Sequence, residues 1–82
     1  MIYTLFTTQG CHLCEQAQDL FALVNQSNSF TLKLCEIGDA PKLIEQYGIR
    51  IPVIQAPAGQ ELDWPFSPMR LEQFLKDTCS EL

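Results

Sequence analysis

The chain opens on a short apolar run. Ile2-Tyr3-Thr4-Leu5-Phe6 is β-branched, aromatic and apolar, and it predicts a buried strand over 2–6. Thr7-Thr8-Gln9-Gly10 is polar and predicts a loop, with Gly10 supplying backbone freedom. Leu13, Ala17, Leu20, Phe21 and Val24 then recur at spacings of three and four. That stripe predicts a helix over 11–25. Asn25-Gln26-Ser27-Asn28-Ser29 breaks the pattern.

From Phe30 the pattern switches to alternation. Phe30, Leu32 and Leu34 share one face, with Thr31, Lys33 and Cys35 on the other. This predicts a strand over 30–37, at a sheet edge and with one strongly buried face. Asp39 suits a helix N-cap, and Pro41 fits the first turn, where its missing N–H is harmless. Ala40, Leu43, Ile44 and Tyr47 give that helix its apolar face, and Gly48 stops it.

Residues 49–55 predict a strand entered through Pro52, and 60–64 a second strand that pairs with it across Ala56-Pro57-Ala58-Gly59. Ser67 followed by Pro68 caps a last helix, with Leu71, Phe74, Leu75 and Cys79 on its apolar face. The order is β-α-β-α-β-β-α. A β-α-β crossover makes the first two strands parallel neighbours. The expected fold class is α/β, a four-stranded mixed sheet with helices on both faces. With 82 residues, a single domain over 1–82 is expected.

Charge narrows the partners. The formal net charge is −5, and Lys33, Lys42, Arg50, Arg70 and Lys76 are scattered. Phosphate binding wants clustered cations, so nucleic acid is not an expected partner. No apolar run approaches the roughly 20 residues of a membrane helix. A cytoplasmic monomer is expected, with neither a leader nor a membrane anchor.

The chemistry lies in the cysteines. Of four, Cys11 and Cys14 form a C-x-x-C just after a strand and at a helix start. The first N–H groups of a helix are unpaired and its dipole is positive there, which favours a thiolate at Cys11. Such positions can bring a cysteine pKa from about 8.5 down to between roughly 3.5 and 7.5. Cys14 lies about one turn on, deeper in the apolar stripe. Cys11 is therefore expected to attack and Cys14 to resolve. His12, if protonated, would add to the field at Cys11 or else stand as an exposed helix-start residue. Half of a zinc site and a structural disulfide stay open as other uses of the pair. Cys35 and Cys79 read as packing residues.

These residues resemble the glutaredoxin branch of the thioredoxin fold. The resemblance rests on Thr8-Gln9-Gly10-Cys11-His12-Leu13-Cys14-Glu15, Ile51-Pro52-Val53 and the element order, and it spans essentially the whole chain. Cys-His-Leu-Cys and Leu62-Asp63-Trp64-Pro65-Phe66 look like a compact bacterial subgroup. The resemblance implies a thiol–disulfide oxidoreductase with Cys11 and Cys14 as its redox pair. It implies a cis Pro52 facing the cysteines, with the Ile51 backbone pairing to a bound disulfide chain. His12 and Ser67 join the expected substrate contacts. The residues alone would favour a trans proline at a strand entrance.

No bound cofactor or metal is expected. The expected partners are a disulfide-bearing protein or small molecule, with glutathione or a disulfide reductase restoring the pair. Two positions depart from the usual pattern. Thr8 stands where glutaredoxins carry Lys or Arg, and Trp64-Pro65-Phe66-Ser67 where they carry Gly-Gly and an acidic residue. Two rival readings follow: a binding module on the same fold with little turnover, and a metal-binding protein using Cys11 and Cys14.

Overall fold

β1 (Ile2–Thr7) is the strand on which the molecule is organised. In the computed structural model, which describes residues 1–79, it pairs in parallel with β2 (Thr31–Glu36) and antiparallel with β3 (Val53–Gln55). β3 pairs antiparallel with β4 (Glu61–Asp63), so the mixed sheet runs β2-β1-β3-β4. The helices are α1 (His12–Val24), α2 (Pro41–Tyr47) and α3 (Pro68–Cys79). Fold class and element order are those expected from the sequence.

Strand alternation sorts the core into two layers. Tyr3 and Leu5 of β1 turn to one face, where they meet Ala17, Phe21 and Val24 of α1 and Leu71, Phe74 and Leu75 of α3. Phe6 turns to the other, where it packs with Ile37, Val53 and Tyr47 of α2. A fully buried side chain of this size is worth about 1.5–3 kcal/mol. The first layer is much the larger.

Several boundaries differ from expectation, each for a local reason. α1 begins at His12, with Cys11 as its N-cap. Its buried line is Cys14, Ala17, Phe21 and Val24, whereas Leu13, about a quarter-turn away, stays 44% exposed. β2 lies at the sheet edge as expected, but its buried face is incomplete. Phe30 and Leu32 pack on the α1/α3 layer, while Leu34 remains 49% exposed.

Asp39 does not cap α2. Ala40 does, with an extended backbone and no side-chain bond. The cause is Pro41, whose ring drives the preceding residue out of the helical region. This short helix buries Tyr47 and half-buries Leu43, leaving Ile44 exposed. The expected strand over 49–55 shrinks to Val53–Gln55. The Tyr47 carbonyl accepts the N–H groups of both Arg50 (2.8 Å) and Ile51 (3.0 Å), so the chain keeps winding after α2 and Ile49 projects into solvent.

The last helix matches closely. Ser67 Oγ accepts the Arg70 N–H at 3.0 Å, and Pro68 opens the helix. Thr78, rather than Cys79, completes the buried face, its hydroxyl 2.6 Å from Tyr3 Oη and 2.8 Å from the Phe74 carbonyl. Phe66 is buried and Trp64 half-buried beside it, their rings edge to face at 5.0 Å.

Candidate functional site

The site begins where β1 runs out. The chain turns through 8–10, closed by a Cys11 N–H to Thr8 carbonyl bond at 3.3 Å. Gly10 makes the turn at φ 77°, a left-handed conformation that only glycine adopts freely. Cys11 then sits at the N-cap with φ −85° and ψ 100°. Its sulfur does what a capping oxygen usually does: Sγ accepts the Cys14 N–H at 3.2 Å. The two sulfurs are joined as a disulfide, with the Cα atoms 5.2 Å apart. Cys11 is half-buried, and Cys14 is only 1% exposed.

Pro52 is cis. The pairing of Phe6 with Val53 places it at the end of the sheet where β1 enters the cysteine loop. Its carbonyl accepts the Trp64 N–H at 3.1 Å. Ile51 is half-buried against the α2 layer, and its N–H is already committed to Tyr47. The Trp64–Pro65 bond is also cis, a feature not expected from the sequence.

The other expected contacts are more peripheral. The His12 side chain is 89% exposed and lies 3.6 Å from Glu15, outside any packed site. Ser67 is exposed, with its hydroxyl engaged as the cap of α3.

Two groups of residues went unseen in the sequence. Glu36, at the end of β2, accepts the Gly38 N–H at 2.6 Å and bonds to the Thr8 side chain. The Gly38 bond first, then Thr8, holds its carboxyl below the ordinary range. Glu36 thus braces the loop leading to Cys11, beside a polar hollow of about 180 Å³. The Thr7–Glu36 register is the signal that could have placed it there.

The second group joins α2 to β4. The Arg50 guanidinium forms a bidentate pair with Asp63 (3.0 and 2.9 Å) and a third bond to Glu61 at 2.8 Å. Tyr47 Oη donates to Glu61, and Arg50 lies 5.1 Å from the Tyr47 ring centre. Bonding to Glu61, then burial, pushes the Tyr47 phenol up. The Arg50 bonds pull Asp63 down. Burial pushes Glu61 up, but its bonds to Tyr47 and Arg50 outweigh this and leave it below the ordinary value.

Among the described residues no three His, Cys, Asp or Glu side chains gather as a metal site. No helix among them is long and apolar enough to cross a membrane. What the geometry offers is a sulfur pair at a helix start with a cis-proline at the same end of the sheet.

A family model described as Glutaredoxin-like domain (DUF836) matches residues 3–76. The chain belongs to that family. The X-ray structure of the structural-genomics target protein XcR50 from X. campestris is similar to this glutaredoxin-like chain. The two share 39% identity at a TM-score of 0.81, over 92% of this chain and 96% of that one. The solution structure of the same target, also 39% identical, gives 0.78 over 94% and 95%. The first thioredoxin domain of mouse protein disulfide-isomerase A4 is 16% identical at a TM-score of 0.50, over 96% of this chain and 61% of that one. The last likeness speaks to the fold alone, and that fold is the thioredoxin fold. A search of the curated proteins finds no match.

Proposed function

We propose that this glutaredoxin-like domain is a thiol–disulfide oxidoreductase, with Cys11 as attacker and Cys14 as resolver. One observation carries the reading. Cys11 Sγ, at a helix N-cap, accepts the Cys14 N–H and lies against a nearly inaccessible Cys14 sulfur. A hydrogen bond to sulfur and a positive helix end both favour the thiolate, which is the attacking species.

The reaction starts from the reduced pair. Cys11 thiolate attacks one sulfur of a substrate disulfide. A Cys11–substrate disulfide forms and the other substrate sulfur leaves as a thiolate. Cys14 gives its proton to solvent and attacks Cys11 Sγ, releasing the second substrate thiolate. The substrate has gained two electrons and the pair is oxidised. Glutathione or a disulfide reductase then returns the two electrons. Ile51 and Pro52 bind the chain flanking the substrate disulfide, with His12 and Ser67 at the margin. The chemistry suits a reducing compartment such as the cytoplasm and calls for no bound cofactor.

Mass spectrometry tests this directly. Cys14→Ser treated with oxidised glutathione or hydroxyethyl disulfide is expected to hold one adduct, mapped to Cys11. Cys11→Ser is expected to hold none at Cys14 on the same timescale. A Cys14→Ser protein that stays unmodified with both disulfides overturns the mechanism.

A further inference from the structure

We propose that Arg50 is a positioning residue for the Ile51–Pro52 platform, setting affinity for extended disulfide substrates; this rests on the thiol–disulfide reading above. Arg50 touches no reacting atom. It acts through the backbone that follows it.

The connector from α2 to β3 is anchored at its two ends, by the Tyr47 carbonyl at the start and by the buried Pro52 ring with its carbonyl bond to the Trp64 N–H at the finish. Ile49 is fully exposed, and only Ile51 and Pro52 reach apolar surroundings. Its backbone is held at the helix end by the shared Tyr47 carbonyl. Because that carbonyl takes the Ile51 N–H, pairing with a bound chain falls to the Ile51 carbonyl. Its direction is set by the Pro52 anchor on one side and by how Arg50 is held on the other.

The hold on Arg50 comes from β4. Glu61 and Asp63 alternate on β4, so their side chains share a face. The guanidinium spans both and so ties the residue just before Ile51 to the sheet's outer strand. A second tie runs inward. The Tyr47 ring lies under Arg50 and stacks on Phe6 at 4.1 Å and 12°. Phe6 belongs to the strand that delivers Cys11. A continuous set of contacts thus runs from the cysteine strand through Tyr47 and Arg50 to β4, with Ile51 and Pro52 inside it.

The chemistry of the pair fits positioning better than stabilisation. The Arg50 side chain is 32% exposed and Asp63 47%, so solvent screens much of the attraction. A planar bidentate fork still fixes direction, which a lysine ammonium at the same place would not.

The test compares two substrates on the full chain. One is hydroxyethyl disulfide, which needs only Cys11. The other is an extended peptide carrying a mixed disulfide, which also needs the platform. Arg50→Gln is expected to raise KM for the peptide about tenfold with little change in kcat. Its kcat/KM for hydroxyethyl disulfide is expected to stay within about twofold. Arg50→Lys should restore charge but not peptide KM. Amide exchange at Ile51 should quicken in Arg50→Gln. If Arg50→Gln does not fold, Asp63→Asn breaks the fork from the other side and carries the same expectations. An unchanged peptide KM, equal losses on both substrates, or full rescue by lysine overturns the inference. A parent protein that turns over neither disulfide overturns the oxidoreductase reading instead, and the positioning role with it.

Discussion

The two faces of the sheet are held by different physics. On the α1/α3 face a large apolar cluster surrounds Tyr3, Leu5, Leu71 and Leu75, all essentially inaccessible. Its prominent polar contact is internal, from Tyr3 Oη to Thr78 and the Leu75 carbonyl. On the α2 face four buried side chains do the packing, and a charged network from Tyr47 to Asp63 closes the rim. The first face makes the domain stable. The second gives up apolar area near the cysteines and replaces it with directional bonds. The segment carrying Ile51 and Pro52 is thus held by directional bonds on one side and by the buried Pro52 ring on the other.

The largest expected effect separates these two roles. Leu71→Ala empties a fully buried position and should cost about 2–5 kcal/mol. A chain of this length has a total stability on the order of 4–12 kcal/mol, so this one substitution removes a large share of it. Leu43→Ala, on the half-buried side of α2, should cost about 1 kcal/mol. Urea denaturation midpoints of both variants check this. Equal losses would dissolve the contrast between the faces.

The same contrast explains what was legible in the sequence. Ala17, Phe21 and Val24, and likewise Leu71, Phe74 and Leu75, repeat at helical spacing against one large core, so periodicity found α1 and α3. Ser67-Pro68 announced its cap locally. The cysteine pair was legible because strand, glycine loop and helix start are neighbours in the chain. The α2 side resisted. Asp39 lost the cap because Pro41 dictates the conformation of Ala40. Residues 49–52 look like a strand by composition, but one carbonyl winds them into a turn. Arg50 and Asp63 are 13 positions apart with no shared period, so only the β3/β4 hairpin brings them together. The cis Pro52 followed from the family resemblance. The residues alone pointed to the trans form, because local sequence carries the intrinsic trans preference and not the tertiary contacts that overrule it.

A pair of tyrosines sharpens the comparison at a smaller scale. Tyr3 and Tyr47 are both buried, one in each layer. Tyr3→Phe leaves Thr78 its bond to the Phe74 carbonyl, and Tyr47→Phe leaves Glu61 its bond to Arg50. Losing the neutral bond at Tyr3 should cost about 0.5–1.5 kcal/mol at pH 7, and losing the charge-assisted bond at Tyr47 about 1.5–3 kcal/mol. The difference lies in the partner. The loss at Tyr3 should be the same at pH 7 and pH 3. That at Tyr47 should shrink as acidification takes Glu61 through its lowered value. Denaturation of both variants from pH 7 down through that value decides it, and parallel behaviour would show that the second face is not electrostatic in character.

The smallest expected effect lies in the carboxylates themselves. Glu61 and Asp63 have folded-state values below their ordinary 4.5 and 3.8. The folded protein therefore holds fewer protons than the unfolded chain around those values. Their contribution is fully present above the ordinary carboxylate range and is lost as pH falls through the depressed values. The groups facing them, Tyr47, Arg50 and Gln55, carry no compensating acid–base change in that window. Glu61→Gln should thus be less stable than the parent at pH 7 and lose less on acidification, so that the gap closes as pH falls through the lowered Glu61 value. Both carboxylates are partly exposed, so added salt should also narrow the pH 7 gap. The Leu71→Ala deficit, which involves no titrating partner, should keep its size across the same range. A Glu61→Gln gap that stays unchanged right through the acid titration of Glu61 would mean that the α2 face is held by packing alone, and the distinction between the two faces would then be one of area only.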